Sequence, residues 1–135
     1  MSRAAALILL ALLLSGCNGG TVDQHALKRD AEKVGSLATE GQLLANDVSR
    51  GATTEPFAHV HAGELARAAS DFADALSKRP TSPGIEPEVR ELAAVAGKVS
   101  DHLERLHLHP ADRAIAQSLL QPLGDDADAA DKLAK

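Results

Sequence analysis

The chain carries two Phe and neither Tyr nor Trp among its 135 residues, yet 44% of it is hydrophobic. A core without large rings must be built from Leu, Val, Ile and Ala. That composition disfavours a β-sandwich, whose strands favour aromatic and β-branched residues, and favours closely packed helices. The spacing of the aliphatic residues agrees. Leu27, Ala31, Val34, Leu37, Ala38, Leu44, Ala45 and Val48 recur at three-and-four intervals, the signature of one buried helical face.

Three further stretches repeat this pattern. Thr21-Val22-Asp23-Gln24 reads as a capping box opening the first helix, and Gly51 is its natural stop. A second helix starts near Thr53 or Thr54, with Pro56 tolerable in its first turn. Its stripe is Phe57, His61, Leu65, Ala69, Phe72 and Leu76, flanked by Ala58, Ala62, Ala66 and Ala73. After the loop from Arg79 to Gly84, a third helix begins around Glu86-Pro87-Glu88, acids that suit the positive end of the helix dipole. It presents Val89, Leu92, Ala96, Val99, Leu103 and Leu106. His109-Pro110 interrupts the pattern, and a shorter fourth helix offers Ala111, Ala114, Ile115, Leu119 and Leu120 before Gln121-Pro122 ends or kinks it. The expected fold is all-α: an antiparallel four-helix bundle of three long helices and a shorter fourth. A three-helix bundle with a loosely attached C-terminal segment is the alternative. The bundle domain spans 23–124, and the acidic tail, 125–135, reads as frayed or disordered.

Ahead of the bundle lies a different kind of segment. Arg3 gives a positive start, Ala4–Leu14 form an apolar run too short to span a bilayer, and small residues follow. Leu14-Ser15-Gly16-Cys17 resembles the lipobox of bacterial lipoproteins. The resemblance implies a signal peptide over 1–16, cleaved before Cys17, and a lipidation site at Cys17 (diacylglycerol, with palmitate-like acyl chains). Residues 17–22 then form the lipidated Cys and a flexible tether. The implied location is the cell envelope, with the protein anchored to a membrane through the lipid on Cys17 and facing the periplasm or extracytoplasmic side.

The formal charge of −5 argues against nucleic acid, which usually calls for a basic stripe. No nucleophile elbow, phosphate-binding Gly-rich loop or haem-attachment motif is present. With the sole Cys taken by lipid, the reading is a non-enzyme. Asp125-Asp126-Ala127-Asp128 lacks the glycine and closing glutamate of an EF-hand and reads as a solvated acidic tail.

The six histidines are the one chemical lead. An up-down topology places His59, His61, His102, His107 and His109 at the membrane-distal end and His25 near the tether. His61 lies on the second stripe and His102 close to the third, whereas His59 points away. His61 and His102, with Glu64 or Glu104, compose a candidate Zn or Cu site. Glu104-x-x-His107 has the step used in di-iron bundles, but those need two such steps. Two functions follow as expectations: a lipid-anchored, non-enzymatic interaction or structural module that binds an envelope protein partner, without a cofactor; or a metal-binding bundle using the distal histidines.

Overall fold

The computed structural model describes residues 20–135. They form four α-helices: α1 (Gln24–Arg50), α2 (Glu55–Lys78), α3 (Glu86–Leu108) and α4 (Arg113–Leu133). The signal segment, Cys17 and the first part of the tether lie outside the described residues.

Local chemistry sets each boundary. Asp23, and not Thr21, caps α1: its Oδ1 accepts from the Ala26 N–H at 2.8 Å. The reason is upstream. Val22 is fully buried and extended, its N–H donating to Pro80 O (2.7 Å) and its carbonyl accepting from Ser82 N–H (2.9 Å). That short bridge to Thr81 holds the backbone out of helical geometry until Asp23. At the other end Gly51 adopts φ 66°. Gly51 N–H bonds Val48 O and Ala52 N–H bonds Asp47 O, closing a Schellman motif. Pro56 and Pro87 sit in the first turns of α2 and α3, where a missing N–H leaves no helical bond unmade. Asp112 caps α4 by accepting from Ile115 N–H at 3.0 Å.

The expected tail is instead helix. α4 runs 21 residues, straight past Pro122 to Leu133, so it is close to its neighbours in length. An interior proline removes one ladder bond, but the apolar spacing continues: Ala116, Leu119, Leu123, Asp126 and Ala130 are all buried. Gln42 Nε2 also donates to Leu120 O at 2.8 Å, binding α4 to α1 just before the proline. Ala111 and Ala114, expected inward, are exposed, and Ala116 takes the inward position.

The helices alternate in direction around the bundle. α1 packs chiefly against α4, and α2 chiefly against α3. Small residues permit both close pairings. Gly35 faces Ala130 and the Ala127 carbonyl across α1–α4. On α2 the buried line is Ala58, Ala62, Leu65, Ala66 and Ala69, so the core face is turned toward the alanines. Phe57, expected on the buried stripe, is 56% exposed. The central layer is Leu27, Val34, Leu92, Val99, Leu103, Leu106, Leu119 and Leu123, each at most 1% exposed.

Where the chain enters the bundle it is held by a clamp. Arg79 Nε donates to Gly20 O (3.1 Å) and Nη1 to Asp30 Oδ2 (3.3 Å). Arg79→Ala would leave the buried Asp30 carboxylate without this partner, an omission that costs about 1–3 kcal/mol. Urea denaturation should show that loss, and Arg79→Lys should restore only part of it because one ammonium lacks the guanidinium's fork.

Candidate functional site

The end of the bundle opposite Gly20 holds the start of α2 and the end of α3. Here His59 and His107 come together. Their rings stack with centroids 4.1 Å apart and planes inclined at 21°. His59 Nδ1 donates to the His107 carbonyl at 3.0 Å, and His107 Nδ1 donates to the His59 carbonyl at 2.7 Å. A carbonyl only accepts, so each Nδ1 carries the proton. Gly63 makes room for this. A Cβ there would stand 2.8 Å from His107 Nδ1. One turn on, Ser100 Oγ donates to Ala66 O at 3.0 Å, tying the same two helices.

An open groove of about 850 Å³ runs alongside, lined by both rings and by Glu64, Arg67, Asp101 and Glu104. The expected partnership is therefore rearranged. Glu64 and Glu104 share a groove with His59 and His107, not with His61 and His102. His59, expected to point away, is in the pair because α3 lies on that flank of α2.

His61 and His102 turn to different helices. His61 Nε2 lies 3.1 Å from Glu40 Oε1 on α1, with the Phe57 ring 5.3 Å from its own. His102 Nδ1 lies 2.8 Å from Asp126 Oδ2 on α4. The structure does not bring them to a shared site, and no group of three His, Cys, Asp or Glu arranged to hold a metal exists among the described residues. His109 ends α3 as an exposed C-cap, and His25 is exposed in the first turn of α1, at the Gly20 end.

Asp126 was hidden from sequence reasoning by its acidic neighbours. It is 7% exposed. Burial pushes its carboxyl above the ordinary value of 3.8, and the adjacent His102 opposes the shift. In the folded state Asp126 therefore holds its proton to higher pH than in the unfolded chain. Its contribution to stability is fullest below about pH 3.8 and falls as pH rises through the folded value. Asp126→Asn should flatten that part of the profile, since the amide oxygen still accepts from His102. Thermal melts of both proteins across pH 3–7 check this: the stability of wild type relative to the variant should decline with rising pH.

All four exposed large hydrophobic residues among those described, Leu43, Phe57, Val60 and Leu108, lie in this distal half. Phe57 and Val60 occupy the first turns of α2, and Leu108 ends α3. No described helix is long and apolar enough to cross a membrane. No protein-family model matches the chain, and no curated protein or solved structure shows significant similarity to it.

Proposed function

We propose that the protein is a membrane-anchored bacterial lipoprotein that acts without catalysis, as an interaction module in the cell envelope. Lipid on Cys17 would tie down the end of the bundle where Gly20 and the Pro80–Ser82 backbone meet. The opposite end then faces away from the membrane and offers its apolar side chains to a partner protein. The observation that carries this reading is that Leu43, Phe57, Val60 and Leu108, each more than half exposed, all lie in the half of the bundle away from Gly20. Phe57 and Val60, one turn apart at the start of α2, supply the apolar contact such a partner would cover.

Two measurements test it. Mass spectrometry of the native protein should find a diacylglyceryl-modified Cys17 at the mature N-terminus. A photo-crosslinking residue at position 57 or 108 should capture one reproducible envelope protein, one at position 78 should not, and Phe57→Ser/Leu108→Ser should abolish capture through position 60. An intact leader with a free thiol would remove the anchor. Equal capture from both ends would remove the docking surface.

A further inference from the structure

We infer that the partner's docking segment is a cationic amphipathic helix, laid along the groove between α2 and α3. The inference rests on the reading that the distal half docks an envelope protein, and it names the chemistry of what docks. Its first support is shape. The groove runs from Val60 to Asp71, about 16 Å of α2 at the rise of an α-helix. Val60 lines the distal mouth, and Phe57 lies one turn nearer the start of α2. Both are 56% exposed, so an apolar contact adjoins the groove at that end.

The second support is the build of the walls. Gly63, Ala66 and Ser100 line the groove, and side chains this small let a third helix approach at the short end of the packing range, about 8–10 Å. Both walls are α-helices, whose backbone N–H and C=O groups are already paired along the helix. They offer no strand edge, so an extended segment would find no backbone partner. A helix satisfies its own backbone, and about three turns of one match the length of the groove.

The third support is charge. The groove is lined by four carboxylates, Glu64, Asp71, Asp101 and Glu104, against one guanidinium, Arg67. All five side chains belong to exposed residues, and among the described residues none is held in an ion pair. Such a surface attracts basic segments and repels acidic ones, which steers encounter and fixes orientation. The imidazoles at the distal end add to this. Each Nδ1–H is given to a backbone carbonyl, which leaves each Nε2 as an acceptor for an incoming N–H. The complementary surface is a helix with Lys or Arg along one flank and an apolar anchor near one end. The chain's own charge of −5 disfavours a second copy as the occupant.

The test uses the full chain in nonionic detergent micelles and two stapled, fluorescein-labelled helical peptides, each about three turns long. One carries a Leu anchor near one end and Lys along one flank; its twin has Glu in place of each Lys. Fluorescence anisotropy should show saturable binding of the Lys peptide, about tenfold tighter than the twin and weaker as salt is added. Glu64→Lys/Asp101→Lys should weaken the Lys peptide by about tenfold and strengthen the twin. Glu32→Lys/Asp128→Lys makes the same charge change on exposed residues of α1 and α4 and should move neither by more than about twofold. Val60→Ser should weaken the Lys peptide without altering far-ultraviolet circular dichroism. Twins that bind alike, a Glu64/Asp101 variant that binds as wild type does, or an equal loss from the Glu32/Asp128 variant would each overturn the inference. So would self-association in sedimentation velocity that Glu64→Lys/Asp101→Lys abolishes, which would make a second copy the occupant. The peptides need neither lipid nor native partner. A failed titration therefore removes the cationic helix alone, whereas failed capture through positions 57 and 108 removes the docking reading.

Discussion

Leu103→Ala is expected to destabilise the bundle by about 2–5 kcal/mol, as complete truncation of a buried leucine does. Leu103 is fully buried and meets α1 at Gly41, where a Cβ would stand 2.5 Å from Leu103 Cδ2. The side chain therefore fills a notch that only glycine leaves open. Gly41→Ala alone brings two opposed effects. Alanine gains about 1 kcal/mol of helix propensity over glycine, and overpacking against a side chain with no exposed volume costs about 1–3 kcal/mol. A net loss is expected. In the double variant the new methyl occupies part of the space Leu103 vacated. Its destabilisation should fall short of the sum of the single effects by at least about 0.5 kcal/mol, the coupling expected of residues in contact. Urea unfolding of the four proteins completes the cycle, and strict additivity would show that α1 and α3 do not meet there.

The second large effect is expected at Ala62→Leu. Ala62 is fully buried, in the line of alanines on α2, the helix that packs chiefly against α3. A leucine has no space to enter, so the helices must separate or the side chain must leave its rotamer. The cost is about 3 kcal/mol, at the upper end for overpacking. The damage should also be visible about one helical turn away. The reciprocal His59–His107 hydrogen bonds depend on the same spacing, at 3.0 and 2.7 Å. The Nδ1 proton resonances of both rings should be slowly exchanging in the wild type and lost in Ala62→Leu. Ala62→Ser adds one oxygen and should leave both signals in place.

The all-helical architecture was legible because the three-and-four spacing is strong in every segment and glycine or proline punctuates most boundaries. Where the structure departs from the spacing, the cause is shared: the pattern of one helix carries no information about its neighbours. Apolarity alone puts Phe57 and His61 on the core face of α2, because phenylalanine is more apolar than alanine. Between two closely approaching helices size decides, and Ala58, Ala62 and Ala66 win the buried face. Pro122 reads as a terminator in one dimension, but the buried positions beyond it, and Gln42 from α1, hold α4 continuous. Asp126 looked like one more solvated acid because the helix that carries it inward was not foreseen. His102 therefore pairs with Asp126 on α4 and not with His61. The His59–His107 pair depends on which flank of α2 receives α3, and on Gly63 having no side chain. Neither is written in the periodicity of one helix.

The pairing of α1 with α4 joins the first helix to the last. Whereas α2 and α3 can zip together across a short connection, α1 waits for its principal neighbour until residues beyond 113 are made. Assembly should then proceed in two stages, an inner hairpin that needs nothing else and an outer embrace that closes last. A chain cut short at Gln121 would keep the hairpin and leave the apolar side of α1 uncovered along the reach that Leu123, Asp126 and Ala130 protect. Such a truncated product is one that quality-control proteases should recognise.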